Sequence, residues 1–178
     1  METDAINDTR LVEQARQGGL AAFEELVRRY QGPLYGYLCR MCRNPDTAEE
    51  LAQIAFVKAW AGLAGFRAES SFKTWLFRIA TNCCLNELTR NRPLEPLPDG
   101  EPGPARWEPA QAFRNRDDFD RVNRALAGLP DDQHSALLLS VYEDMPYAEI
   151  ARVLGRSAEA VNALLYRARL SLRRALNR

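Results

Sequence analysis

Residues 147–169 read YAEIARVLGRSAEAVNALLYRAR, and three of them have the spacing of two helices joined by a tight turn. Ala151 is small enough to lie where the helices approach, Gly155 suits the turn, and Val161 belongs on the inner face of the second helix. Steric reasons require small, flexible and apolar residues at these points. The stretch predicts a helix-turn-helix, although a plain helical hairpin can show the same three residues.

The second helix of this stretch has two different faces. At about 100° per residue, one face is apolar and predicts the core side: Val161, Leu164, Leu165, Ala168 and Leu172. The opposite face carries Glu159, Ala163, Tyr166 and Leu170, flanked by Asn162 and Arg169 on one edge and by Ala160 and Arg167 on the other. Asparagine pairs with adenine, glutamate accepts from cytosine and alanine contacts thymine methyls, so this face can read base pairs. Its apolar side chains are also typical of an exposed patch, of packing within the domain or of a docking surface for another protein.

Charge and hydropathy limit the classes of protein to which this chain can belong. Lysine and arginine together number 24 and so do the acids, but residues 151–178 hold seven arginines against one acid, Glu159. Such a cationic tail is typical of a solvated face or of nucleic-acid contact. No apolar run approaches the roughly 20 residues of a membrane span, and the start METDAINDTR lacks the pattern of a secretion signal. The sequence predicts a cytoplasmic protein without stable membrane insertion.

A proline-rich segment divides the chain. Six of the ten prolines fall within PLEPLPDGEPGPARWEP, residues 93–109. Because proline lacks an amide donor and restricts φ, the composition predicts a flexible linker over 93–113. The chain then has an N-terminal domain at 1–92 and a C-terminal domain at 114–178.

Both domains have helical periodicity, and neither shows the strict alternation of a half-buried strand. The pattern predicts an all-α fold with two small helical domains. Four helices are predicted in the first domain: Thr9–Gln31, Leu34–Arg43, Thr47–Leu63 with Asp46 or Thr47 as N-cap, and Ser70–Asn91. Four more are predicted in the second: Asp117–Ala127, Asp131–Tyr142, Tyr147–Leu154 and Ala158–Leu176.

The fourth helix combines aromatic, basic and amide side chains. One face is apolar and predicts core: Phe72, Trp75, Leu76, Ile79 and Cys83. The other side offers Lys73, Phe77, Thr81 and Leu88, with Thr74, Arg78 and Asn82 nearby. Aromatic rings among basic and amide groups suit single-stranded nucleic acid, because bases stack and phosphates are neutralised. The aromatic core of a helical bundle has the same composition.

The sequence offers few residues or motifs that could support catalysis or metal binding. There is one histidine, and there is no Gly-rich phosphate loop, GxSxG or HExxH motif, so we expect neither an enzyme nor a cofactor. Cys39 and Cys42 have metal-like spacing but lie in a helical pattern that buries thiols as small hydrophobes. A four-ligand zinc site would also need Cys83 and Cys84, which point to different sides of a helix. A cysteine-based metal or redox sensor is therefore a minor hypothesis.

Four stretches, in chain order, resemble the motifs of the extracytoplasmic-function (ECF) sigma factors, the small initiation subunits of bacterial RNA polymerase. AAFEELVRRY (21–30) resembles the family's first helix, and DTAEELAQIAFVKAW (46–60) resembles its polymerase-docking segment. SFKTWLFRIATN (71–82) is similar to the helix that melts the promoter and reads the −10 element, and residues 129–176 to the −35-reading domain. Four motifs in this order, with a proline-rich linker where the family has one, are more specific than any one of them.

The resemblance implies roles for particular residues. The N-terminal domain would be a four-helix sigma region 2, the C-terminal domain a helix-turn-helix sigma region 4, and the linker would thread toward the polymerase active-site cleft. The resemblance assigns docking on core polymerase to Leu51, Gln53, Phe56, Lys58 and Trp60. Contact with the −10 element falls on Arg67, Ser70, Ser71, Lys73, Thr74, Arg78 and Asn82. Contact with the −35 element falls on Arg156, Ser157, Glu159, Ala160, Asn162, Ala163 and Arg167.

The function implied by the resemblance is transcription initiation by binding rather than catalysis. The expected partners are core RNA polymerase, duplex −35 and single-stranded −10 DNA, and an anti-sigma factor. Three places depart from the family's usual pattern. Ile54 stands where the family often has an acid, and Thr81 stands where a basic residue is common. Residues Asn162–Leu164 replace the family's usual Lys-Ser-Arg. These losses and the apolar stripe of Ala163, Tyr166 and Leu170 favour an alternative, a sigma-like interaction module with weakened promoter reading that binds polymerase or an inhibitor.

Overall fold

The computed structural model describes residues 2–90 and 116–177, so the predicted linker at 93–113 lies outside the described residues. The described part holds eight α-helices, one short 3-10 turn and no strand, which confirms the all-α prediction. The N-terminal domain contains α1 (Glu2–Arg16), α2 (Leu20–Cys42), α3 (Pro45–Gly62), the 3-10 turn Leu63–Gly65 and α4 (Phe72–Arg90). The C-terminal domain contains α5 (Arg116–Ala127), α6 (Asp131–Val141), α7 (Tyr147–Leu154) and α8 (Ala158–Leu176).

The first two predicted helices have wrong boundaries. The prediction of Thr9–Gln31 and Leu34–Arg43 placed the break at Pro33, but α2 runs through this proline and the chain turns at Gly18 and Gly19 instead. Gly18 has a φ of 89°, and a Cβ on Gly19 would lie 2.7 Å from the carbonyl oxygen of Gln14, so glycine is needed at both positions. Pro33 is exposed, and buried residues on both sides of it, Leu26 and Leu34, keep the two halves of the helix in the core.

The start of α3 also differs from the prediction. The N-cap is Asn44, whose side-chain oxygen accepts a hydrogen bond from the amide of Thr47 at 3.1 Å, whereas Asp46 or Thr47 was expected. Pro45 occupies the first helical turn, where its missing amide hydrogen costs nothing. Asn44 is therefore the residue that separates α2 from α3.

The helix-turn-helix is confirmed in the C-terminal domain. Gly155 ends α7 in the left-handed conformation with a φ of 61°, and its amide donates to the carbonyl of Ala151. Ser157 then caps α8 by accepting a hydrogen bond from the amide of Ala160 at 3.2 Å. Val161 and Leu165 are fully buried, as the helical projection predicted.

The two domains pack directly on each other, α4 against α7 and α2 against α6. Tyr37 lies at the centre of this interdomain seam, where its hydroxyl hydrogen-bonds with Thr81 at 2.9 Å and with Ser135 at 2.7 Å. All three side chains are buried, and burial raises the pKa of Tyr37, so its phenol stays neutral. Phe77 and Thr81, predicted on the outer side of the fourth helix, are fully buried, because α4 packs against α7 of the C-terminal domain.

Candidate nucleic-acid and polymerase interfaces

The outer face of α8 gathers the residues predicted to contact the −35 element. Asn162, Glu159 and Arg167 are exposed on it, and Ala160 and Ala163 are half-buried beside them. Ser157 is also exposed, but its hydroxyl oxygen is engaged in capping α8. The face therefore presents an amide, a carboxylate and a guanidinium around small methyl groups, a combination that can read base edges and bind phosphate.

Two charged groups at the start of α8 are held by local contacts. Arg156 lies in the turn and forms an exposed ion pair with Asp132 of α6, 2.7 Å between nitrogen and oxygen. The Glu159 backbone amide and the Ser157 hydroxyl lower the pKa of the Glu159 carboxyl, which therefore stays ionised near neutral pH. An ionised carboxylate only accepts hydrogen bonds, so it suits the amino group of cytosine and repels a phosphate.

The residues predicted to contact the −10 element divide into two groups. Arg67, Arg78 and Asn82 are exposed. The segment at the start of α4 is different, because the side chain of Thr74 is 1% exposed and its hydroxyl lies 2.8 Å from that of Ser71. Ser71 also donates to a carboxylate oxygen of Glu149 on α7 at 3.2 Å, and Ser70 is half-buried. Part of the predicted −10 surface therefore faces the C-terminal domain.

Lys73 makes both an ion pair and a hydrogen bond with one residue of the C-terminal domain. Its ammonium lies 2.9 Å from a carboxylate oxygen of Glu143 and donates at 2.9 Å to the backbone carbonyl of the same residue. The side chain of Glu143 is only 6% exposed, and burial raises the pKa of its carboxyl while Lys73 opposes that shift. The ammonium also lies 5.6 Å from the centre of the Phe77 ring. The side chain of Lys73 therefore takes part in the contact between the two domains.

The predicted docking residues on α3 do not all share one face. Leu51 is buried and packs in the core, whereas Gln53, Lys58 and Trp60 are exposed and Phe56 is half-buried. The Trp60 ring packs on Phe23 of α2 with 4.9 Å between ring centres.

Sequence reasoning missed one exposed apolar side chain of α3 and the acidic residues that contact the predicted −10 surface. Val57 is 68% exposed and lies between Gln53 and Trp60 along the helix, so the helical spacing from those two residues could have identified it. Glu143 and Glu149 had no signal in the sequence, because their partners belong to the other domain.

Metal binding has no support from the described residues, which include all four cysteines and His134. Among them no three or more histidine, cysteine or acidic side chains are grouped as metal ligands. In the same part of the chain, no helix has the length and hydropathy needed to cross a membrane.

Comparison with known proteins connects these surfaces to a family. The family model for Sigma-70 region 2 matches residues 26–93, and the model for Sigma-70, region 4 matches residues 119–172. The chain is 32% identical to the RNA polymerase sigma-H factor of Pseudomonas aeruginosa, over 95% of this chain and 93% of that protein. This chain is an ECF sigma factor. It is also 31% identical to the ECF sigma-E factor of Escherichia coli, over 94% of this chain and 93% of the relative.

Solved structures share the fold of this sigma factor. The structure of CnrH in complex with the cytosolic domain of CnrY has a TM-score of 0.75 and 28% identity, and the match covers 96% of this chain and 97% of that one. RpoE of Bartonella quintana, solved with the anti-sigma factor NepR, has a TM-score of 0.69 at 22% identity, covering 87% of this chain and 96% of RpoE, and supports the fold alone.

The comparisons confirm the predicted family and function. The sigma factor is a transcription initiation factor, built from domains that bind core RNA polymerase and promoter DNA. Sigma factors are transcription regulators. The limits 1–92, 93–113 and 114–178, and the residues assigned to each interface, stay predictions.

Proposed function

We propose that this sigma factor reads duplex −35 DNA with α8, captures the melted −10 strand with residues 67–82, and docks on core polymerase through the exposed face of α3. The observation that carries the proposal is the shared outer face of α8, where Glu159, Asn162 and Arg167 are exposed on the second helix of the helix-turn-helix. Its cellular site of action is then the cytoplasm, where RNA polymerase works.

Base reading and backbone contact fall to different residues of α8. Asn162 can make two hydrogen bonds to adenine and Glu159 can accept one from cytosine, so both specify sequence. Arg156 and Arg167 supply charge to the phosphates, and Arg156 would exchange Asp132 for a phosphate on binding. Ser157 supports this surface as the cap of α8.

Capture of the −10 strand requires the two domains to separate. In the packed arrangement, Lys73 is paired with Glu143, Ser71 contacts Glu149, and Thr74 is buried. These groups cannot contact DNA while α7 covers the start of α4. The packed chain therefore corresponds to a resting form, and polymerase binding would favour the separated form by holding the two domains apart.

Polymerase docking is proposed for the exposed side chains of α3, Gln53, Lys58 and Trp60, with Val57 added by the structure. Phe56 is half-buried, and Leu51 belongs to the core of the domain. Exposed aromatic and aliphatic side chains beside a cation are typical of protein interfaces.

The proposal is tested by transcription with purified components. The sigma factor and core enzyme should give transcripts that start at one promoter class, and core enzyme alone should not. A Trp60→Ala variant should lose core binding while its isolated fold, followed by circular dichroism, is unchanged. If the wild-type chain fails to bind core polymerase, the proposal is wrong.

An anti-sigma factor is a further proposed partner. Support comes from the fold shared with CnrH, which was solved with the cytosolic domain of CnrY, and from the outward apolar stripe of α8, where Tyr166 is 68% exposed and Leu170 half-buried. The same stripe favours the second candidate function, an interaction module with weakened promoter reading. The salt dependence of −35 duplex binding by the full chain distinguishes the two, because a promoter reader loses affinity steeply with salt and an interaction module responds weakly.

A further inference from the structure

Cys42 and Cys84 meet near the C-terminal ends of α2 and α4. Their sulfur atoms are 3.2 Å apart, and both residues carry free thiols. A disulfide needs a sulfur–sulfur distance of about 2.05 Å, so the two atoms have to approach by only about 1 Å to form one. The pairing joins two helices, whereas the CxxC spacing in the sequence had suggested Cys39 and Cys42.

The other two cysteines have different neighbours. Cys39 lies one helical turn before Cys42, and burial raises the pKa of its thiol. Cys83 accepts a hydrogen bond from the ammonium of Lys58 on α3 at 3.3 Å. Among the four thiols, only Cys42 and Cys84 are brought into sulfur–sulfur contact.

The two thiols of the pair differ in access and in acidity. Cys42 is partly exposed, and Cys84 is completely buried behind it. The hydrogen bond between the two thiols lowers the pKa of the Cys42 thiol, whereas that bond and burial raise the pKa of the Cys84 thiol. A partly exposed thiol with a lowered pKa, in contact with a second thiol, is the arrangement of a redox-sensitive cysteine and its resolving partner.

We propose that Cys42 and Cys84 are a redox modification site that forms a reversible disulfide on exposure to a hydroperoxide. The Cys42 sulfur attacks one peroxide oxygen, the O–O bond breaks, and Cys42 becomes a sulfenic acid while the rest of the peroxide leaves as an alcohol, or as water from hydrogen peroxide. The Cys84 sulfur then attacks the Cys42 sulfur. The S–O bond breaks, and the hydroxide leaves with the Cys84 proton as water. Two thiols are oxidised by two electrons, one hydroperoxide is reduced, and a dithiol reductant reverses the change.

The new bond would connect α2 to α4 close to the interdomain seam. Thr81, one turn before Cys84, hydrogen-bonds with Tyr37 at the contact between the two domains. Arg43, the residue after Cys42, donates to the carbonyl of Ala127 in the other domain at 2.9 Å. Oxidation is therefore expected to stiffen region 2 at the place where region 4 rests on it.

The experiment uses the full chain, reduced and freed of reductant, then treated with hydrogen peroxide and blocked with an alkylating reagent. Mass spectrometry of the digest should find a peptide pair joined through Cys42 and Cys84, and the number of alkylated thiols should fall from four to two. Dithiothreitol should restore all four. The melting temperature of the oxidised chain should rise by about 10 °C, because a cross-link between distant residues restricts the unfolded chain.

Matched variants separate this pair from the other thiols. A Cys39→Ser/Cys83→Ser double variant should still form the cross-link, and Cys42→Ser should not. Cys84→Ala should let sulfenic acid accumulate on Cys42, detected by labelling with dimedone. A Cys39–Cys42 cross-link, a disulfide between two chains, or wild-type protein whose thiols stay unlinked under peroxide would each overturn the proposal.

Discussion

Replacing Lys73 by methionine is expected to destabilise the chain more than replacing its partner, Glu143, by glutamine. The two form one ion pair at the interdomain seam, but Lys73 is 30% exposed and Glu143 only 6%. Methionine keeps the aliphatic length of Lys73 and leaves the Glu143 carboxylate buried without its ammonium. Glutamine removes the buried charge, and Lys73 can still donate to the backbone carbonyl of residue 143 or turn to solvent.

The magnitudes follow from this difference in burial. Removing one partner of a fully buried pair costs about 3–5 kcal/mol. Solvent already screens part of the Lys73 charge, so we expect about 2–3 kcal/mol for Lys73→Met, including the lost contact with the Phe77 ring. For Glu143→Gln we expect less than about 1 kcal/mol, since the desolvation cost of the carboxylate disappears with its attraction to Lys73.

The assay is urea unfolding at pH 7, followed by circular dichroism, for the wild type, both single variants and the double variant. The Lys73→Met/Glu143→Gln chain should be more stable than Lys73→Met alone, because no uncompensated carboxylate remains. Equal costs for the two single variants, or strictly additive costs in the double variant, would refute the reasoning.

Three other predictions concern pH, helix capping and DNA reading. Burial, helped by Arg43, lowers the pKa of His134 from 6.5 to about 4. The unfolded chain therefore binds this proton more readily than the folded chain, and stability should fall by about 3 kcal/mol as pH drops from about 6.5 to 4; a His134→Gln variant should lose that slope in acid unfolding curves. Ser157→Ala should cost about 1 kcal/mol in thermal unfolding by removing the cap of α8, whereas Ser157→Asp should retain stability. Asn162→Ala should reduce the preference for one −35 base pair by about 1–3 kcal/mol, whereas Arg167→Ala should weaken binding to all duplexes alike. The measurement is the affinity of each variant for a panel of −35 duplexes that differ at single base pairs. A uniform loss for Asn162→Ala, or a loss at one base pair for Arg167→Ala, would contradict these roles.

Prediction from sequence succeeded where a single element carries the information. The faces of α8 followed from its helical period, and Gly155 marked the turn because glycine adopts the left-handed conformation without strain. It failed at Pro33, where a local breaking signal opposed a helix whose buried residues lie on both sides of it. Tertiary burial outweighed local propensity at that position.

The candidate surfaces were predictable in part for the same reason. Asn162 and Arg167 are exposed because they lie opposite the core face of their own helix. Leu51, expected on the docking face, is instead buried in the core of its own domain. A family motif can assign a segment to a partner, but burial decides which of its side chains are available to that partner.

The sequence by itself determined the helical class, the helix-turn-helix, the family and the outward residues of α8, because helical period and motif order are properties of consecutive residues. Only the tertiary structure decided that Phe77 and Thr81 are buried, that Lys73 pairs with Glu143, and that Cys42 contacts Cys84. These contacts join residues that are distant in the sequence: Lys73 and Glu143 belong to different domains, and Cys42 and Cys84 to different helices of one domain. No pattern of consecutive residues identifies such pairs, because each pairing depends on how distant segments pack against each other.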